Sequence, residues 1–166
     1  ALSAQFKGRT VAKTYLALVH GSPALMAGRI DLPIGRHPVH RKRMSTRSPR
    51  GRPALSLWRV QARFQAATLL KVDLKTGRTH QIRVHCNAIG HPLVGDAVYG
   101  GRRARQPLQV ANSTNIAAPR QMLHAQRLAF RHPTRQRLLM VKAPVAEDMA
   151  DVLQRLGQVN GSQSRP

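Results

Sequence analysis

Two neighbouring segments alternate apolar and polar residues with a period of two, and together they commit the middle of the chain to a pair of strands. In Leu55–Phe64, Trp58, Val60, Ala62 and Phe64 share one face, and Leu57, Arg59, Gln61 and Arg63 share the other. Thr68–Leu74 repeats the pattern, with Leu70, Val72 and Leu74 inward. The link at Gln65–Ala67 is too short for a crossover, so the pair is predicted to be antiparallel. Thr76-Gly77 then breaks the second strand. Thr79 is read as the N-cap of a helix running to about Ala88, with Ile82, Cys86 and Ile89 at helical spacing. Gly90 ends that helix and Pro92 follows.

Other strands are predicted at Lys13–Val19, Gly28–Ile34, Leu123–Arg131 and Arg137–Lys142. Pro144–Leu156 reads as a closing helix whose first turn holds Glu147 and Asp148, where the helix dipole favours them. Gly35–Pro53 has no apolar period and is expected to be a basic loop. Gly100–Gln121 is expected to be a second long loop. The inventory implies an α+β domain on a mainly antiparallel sheet over residues 1–156, with a polar tail from 157 to 166.

Charge selects the partner. The chain has 28 Lys plus Arg against 6 Asp plus Glu, a net charge of +22. Self-repulsion of that size is tolerated when the natural partner is a polyanion. No apolar run of bilayer-spanning length occurs, and no long helix pairs a basic face with an aromatic one, so nucleic acid is favoured over membrane. Aromatic residues are few, which argues against a stacking platform and for a structured RNA recognised by shape. Cys86 is alone, and His80 and His85 are five residues apart; neither a disulfide framework nor a metal site is expected. A reducing compartment follows. The chain begins at Ala1, without Met, inside sequence that already reads as structured, which suggests a truncated or processed chain.

The chemistry concentrates at Gly77–Gly100. A strand ends, Gly77 turns the chain, and polar residues open a helix whose backbone N–H groups point outward. Arg78 and Arg83 there suit a nucleic-acid phosphate or an active-site carboxylate; an ordinary basic helix start is the competing reading. In the basic loop Arg36, Arg41, Lys42 and Arg43 are candidate phosphate contacts, as are Arg102 and Arg103 farther on.

The residues say more than their spacing. G-R-T-H-Q-I-R-V-H, followed by G-H-P-L-V-G-D-A-V-Y-G-G, resembles the signature of the RluA family of pseudouridine synthases. K-T-Y-L-A-L-V at Lys13–Val19, I-D-L-P-I-G-R-H-P at Ile30–Pro38, R-Q-M-L-H-A-Q-R-L-A-F-R-H-P at Arg120–Pro133 and A-P-V-A-E-D-M at Ala143–Met149 resemble further landmarks, in family order. The resemblance implies isomerisation of uridine to pseudouridine in RNA, mostly ribosomal, without cofactor or metal. The target nucleotide is flipped into a cleft. An Asp acts at the sugar C1′, a Tyr lies against the base, and an Arg pairs with the Asp. Carried over, the Tyr is Tyr15 and the Arg is Arg83. Arg78, His80 and Gln81 line the same mouth, and Leu123 supports the Tyr.

One departure limits the reading. The family's R-L-D-x-x-T-x-G motif, which carries the Asp and precedes the tyrosine strand, does not occur. Gly28-Arg29-Ile30-Asp31 echoes it, but Leu32-Pro33 follows and the segment lies after Tyr15, so Asp31 is read as a strand-end residue. Asp73 is expected to face solvent or an Arg, and Asp96 to cap a turn or hold a nearby Arg. Two expectations follow. The chain is part of a pseudouridine synthase and is inactive alone, or it is a non-catalytic protein that binds ribosomal RNA, with ribosomal particle proteins as further partners. The family setting is the bacterial cytoplasm, with a mitochondrion as the alternative.

Overall fold

The computed structural model describes residues 2–110 and 114–162; the side chains of 103, 105, 114 and 159–162 lie outside the description. Six strands form one antiparallel sheet in the order β10-β9-β1-β6-β5-β2. They are β1 (Ala12–His20), β2 (Ala27–Asp31), β5 (Leu55–Arg63), β6 (Ala67–Leu74), β9 (Leu123–Arg131) and β10 (Leu138–Lys142). Two small hairpins, β3 (Gly35–Arg36) with β4 (Met44–Ser45) and β7 (Leu108–Val110) with β8 (Thr114–Ile116), stand apart from it. The helices are α1 (Leu2–Lys7), α2 (Gln81–Ala88), α3 (Gly101–Arg105) and α4 (Glu147–Ser162).

The central strands explain their own composition. β1 and β6 are covered on both faces, and strands of that kind read as near-continuous apolar runs. Leu16, Leu18 and Leu69 pack with Met149, Val152 and Leu156 of α4 on one side. Ala17, Val19, Leu70 and Val72 pack with Ile82 and Cys86 of α2, and with Leu93, on the other. Each fully buried Leu, Ile or Val contributes about 1.5–3 kcal/mol relative to exposure. The α2 face is the one that bears Tyr15.

The expected single apolar face of Leu55–Phe64 needs correction. The β5–β6 register shifts between Val60 and Ala62. Trp58 and Val60 therefore join the α2-side core, whereas Ala62 and Phe64 pack on the α4 side. An extra residue in one strand moves everything beyond it to the opposite face.

Three further expectations are corrected. Gly35–Pro53 is not structureless: beyond the β3–β4 pair, Ile34 and Arg52 exchange backbone hydrogen bonds at 2.9 Å in both directions. Its turn is closed by the N–H groups of Val39 and His40 donating to His37 Nδ1, at 3.1 and 3.0 Å. Turn hydrogen bonds hold it, and these leave no apolar period in the sequence. Gly100–Gln121 contains α3 and the β7–β8 hairpin, whose Leu108, Val110 and Ile116 complete the α4-side core. The polar tail does not begin at Gly157, because α4 continues to Ser162; one glycine costs a helix about 1 kcal/mol and does not end it. Residues 163–166 lie outside the described residues.

Gly95 shows how the segment after α2 is locked. Its φ is +75°, and a Cβ there would lie 2.7 Å from the Arg120 carbonyl carbon. Beside it Val94 N–H donates to Leu18 C=O, Leu18 N–H to Met122 C=O, and Met122 N–H to Val94 C=O, at 2.9, 3.0 and 2.9 Å. This ring of backbone bonds fixes the chain just ahead of Asp96.

Candidate functional site

α2 does not start as expected. It begins at Gln81, and the preceding residue is His80 in a left-handed conformation (φ 54°, ψ 24°) with no side-chain cap bond; Thr79 is not the N-cap. Gln81 takes over that work from inside the helix. Its Oε1 accepts from Thr76 Oγ1 at 2.8 Å and from Arg78 N–H at 3.0 Å. Its Nε2 donates to Leu55 C=O at 3.1 Å and to Ser56 Oγ at 3.0 Å. Gln81 is thus buried and fully engaged, and the expectation that it lines an RNA-facing mouth is corrected. His85, wholly buried, adds a second strut: it meets Ser56 Oγ at 2.9 Å through Nδ1 and Leu32 C=O at 3.0 Å through Nε2. Burial holds His85 below the ordinary histidine pKa, against an opposing contribution from the Leu32 carbonyl.

With its first turn anchored to β5, α2 aims Arg83 at Asp96. Arg83 Nε donates to Asp96 Oδ2 at 2.8 Å and Nη2 to Oδ1 at 2.7 Å, a bidentate pair. Asp96 is 0% exposed and the Arg83 side chain 11%. Val98 and Tyr99 N–H groups also donate to Asp96 Oδ1, at 3.0 and 3.1 Å. Burial by itself pushes the Asp96 carboxyl upward, but the Arg83 guanidinium and the two backbone N–H groups outweigh it and hold the pKa below the ordinary value. The hydrogen bond to Asp96 raises Arg83 in turn. Within the chain, the bidentate edge of Arg83 belongs to Asp96. Among the described residues Nη1 takes no hydrogen bond.

Tyr99 completes the cluster. Its ring lies 4.9 Å from the Arg83 guanidinium carbon, a cation–π contact. Its hydroxyl accepts Met44 N–H at 3.0 Å and meets His80 Nδ1 at 2.7 Å. His80 is held below its ordinary pKa, first by desolvation and then by the Arg83 charge, with Asp96 opposing. Tyr99 was not singled out from the sequence; only its place three residues after Asp96, where its N–H reaches the Asp carboxylate, hinted at it.

The remaining predicted residues separate into groups. Tyr15 in β1 and Leu123 in β9 both pack against the α2-side core, and Leu123 lies directly opposite Ala17 across the ladder. Burial raises the Tyr15 phenol pKa. Arg36, Arg41, Lys42, Arg78 and His80 line one cavity of ≈ 760 Å³ between the β3–β4 hairpin and the Gly77–His80 turn. His37, Arg50 and Arg52 join them, and no carboxylate lies in that lining. Arg36 Nη1 donates to Arg41 C=O and Arg78 Nε to Pro53 C=O, at 3.1 and 3.2 Å, which fixes two of these cations in place. Arg43 and Arg102 do not line it; they flank a separate cavity beside Val98 and Tyr99. Arg103 belongs to α3, but its side chain lies outside the described residues.

Four of the other five carboxylates have partners in the structure. Asp31 pairs with Arg29, Asp148 with Arg120 and Asp151 with Arg155. Asp73 is half-buried and accepts from the buried Thr14 Oγ1 at 2.6 Å. Thr14 in turn accepts from Arg127 Nη2 at 3.2 Å, which puts an arginine one bond away.

Residues 1–88 match the family model described as RNA pseudouridylate synthase. The chain belongs to that family. A ribosomal large subunit pseudouridine synthase D from Nitrosomonas europaea is 46% identical over 99% of this chain and 47% of its own length. The protein of the same name from Pseudomonas aeruginosa is 45% identical over 95% of the chain and 49% of its own. The chain spans about half the length of these curated relatives. Among solved structures, human RNA pseudouridylate synthase domain containing 1 superposes with a TM-score of 0.72 at 29% identity, covering 99% of this chain and 70% of that one. The α+β architecture on a mostly antiparallel sheet is therefore the pseudouridine synthase fold, as the RluA resemblance implied.

Proposed function

We propose that these residues form the RNA-facing part of a pseudouridine synthase acting on ribosomal RNA, and that they turn over no substrate without a further Asp. The observation that carries the reading is the cation-lined, carboxylate-free cavity joined, through His80 and Tyr99, to Arg83. The cavity's cations hold RNA phosphates, which positions a strand without reading its sequence. Tyr15, on the face that α2 covers, takes the flipped base.

The reaction is an isomerisation. The N1–C1′ bond breaks, the uracil turns, and a C5–C1′ bond forms; C5 gives up a proton and N1 gains one, so no atom is lost. A carboxylate must act at C1′. Asp96 is unsuited, because it is buried and its oxygens already accept four hydrogen bonds. The Nη1 side of Arg83 is the part that orients an incoming carboxylate, with Asp96 holding the guanidinium from behind.

The test has two arms. The 166-residue chain is mixed with a ribosomal RNA transcript, alone and joined to a segment bearing R-L-D-x-x-T-x-G, and pseudouridine is mapped chemically. Product only in the joined protein is expected; product from the chain alone refutes the requirement for an outside Asp. Binding by the chain alone should be strongly salt-dependent. With six to ten phosphates neutralised, affinity falls roughly 10³- to 10⁵-fold between about 50 and 200 mM salt, on the duplex-DNA scale. Salt-independent binding counts against the phosphate role.

A further inference from the structure

Arg83 and the basic cavity belong to different parts of the chain. Arg83 rides on α2, and the cavity's outer wall is the β3–β4 hairpin. Tyr99 touches both. Its ring stacks on the Arg83 guanidinium at 4.9 Å, and its hydroxyl receives the Met44 N–H of β4 at 3.0 Å. The same hydroxyl meets His80 Nδ1 at 2.7 Å, and His80 lines the cavity. The His80 ring meets the Tyr99 ring edge-on at 5.6 Å between centroids, which fixes its orientation. Tyr99 is itself anchored, because its own N–H donates to Asp96, the residue that holds Arg83.

We propose that Tyr99 is the positioning residue of this site: its ring sets the Arg83 guanidinium, and its hydroxyl latches the phosphate-binding hairpin to the start of α2. The assignment rests on the RNA reading above. One rigid side chain with two handles couples where the RNA backbone is held to where the reacting group is oriented. A loose hairpin would still be basic, but its cations would have no fixed place relative to Arg83.

The two handles are separable. Tyr99→Phe keeps the ring and removes the hydroxyl; Tyr99→Leu removes both. In the 166-residue chain, the Arg83 Nε–H resonance reports the stacking, amide exchange at Met44 reports the latch, and RNA affinity reports the cavity. For Tyr99→Phe we expect an unmoved Arg83 resonance, Met44 exchange faster by roughly 5- to 10-fold, the loss of one hydrogen bond, and weaker RNA binding. For Tyr99→Leu the Arg83 resonance also moves. Amides of β9 and α4 stay at wild-type rates in Tyr99→Phe, which separates a latch from a general loss of packing. Unchanged Met44 exchange in Tyr99→Phe overturns the proposal, and so does an Arg83 resonance indifferent to Tyr99→Leu. Should Tyr99→Leu fail to fold, the near-isosteric Phe variant decides alone. Absence of RNA binding by the wild-type chain is a separate result, and it overturns the RNA reading.

Discussion

Replacing Asp96 by Asn removes one charge from the most buried ion pair in the described residues while keeping its shape. Oδ1 of an asparagine can still accept the Val98 and Tyr99 N–H groups, so the turn is retained. What is lost is the negative charge of a carboxylate that is 0% exposed and the 2.8 Å bond from Arg83 Nε, which would face an amide NH2 donor in place of Oδ2. Arg83, 11% exposed, is then left as a nearly buried cation without a counter-charge. Breaking a buried pair from one side costs about 3–5 kcal/mol. For a domain of this size each kcal/mol lowers Tm by roughly 2–4 °C, so a drop of about 10 °C is expected. The assay is urea unfolding at pH 7, with an unchanged slope and a lower midpoint. Adding Arg83→Met to Asp96→Asn should restore part of the loss, because the stranded cation goes too. The pH dependence has a definite sign. The folded-state pKa of Asp96 lies below its unfolded value, so its contribution is present above about pH 4 and is lost as pH falls through the folded value. Wild type and variant should therefore converge in acid. A loss under about 1 kcal/mol at pH 7, or an equal gap at low pH, refutes the reasoning.

Further outcomes follow from single residues. Cys86 is 2% exposed and burial pushes its thiol up to about 12, so it should resist thiol reagents at pH 8 until denaturant is added; rapid native labelling contradicts that placement. Gly95→Ala should cost well beyond the ~1 kcal/mol of an ordinary left-handed alanine, because the new methyl also strikes the Arg120 carbonyl; a soluble variant with wild-type Tm contradicts it. In the active protein Arg83→Ala should abolish turnover while RNA affinity changes little, and a large uniform loss of affinity with normal turnover would reassign Arg83 to phosphate binding.

The amino-acid order by itself determined the strand-rich inventory, the placement of α2 between a glycine turn and Gly90, and the family. These are local or compositional signals. Period two marks Leu55–Arg63 and Ala67–Leu74 as strands wherever they lie, and 28 basic residues repel one another whatever the fold. Tertiary structure decided what the residues meet. Arg83 finds Asp96 only because backbone bonds among Leu18, Val94 and Met122 bring the chain back past α2. Gln81 is buried rather than open to RNA because β5 supplies Leu55 and Ser56 as partners from 25 or 26 positions away. The shift after Val60 sends Ala62 and Phe64 to the α4 side, which no alternation in the sequence announces. Tyr99 reaches Met44 across 55 positions. Such contacts depend on the register of strands distant in the chain, and register is fixed by the packing of the whole sheet, not by any one of its strands.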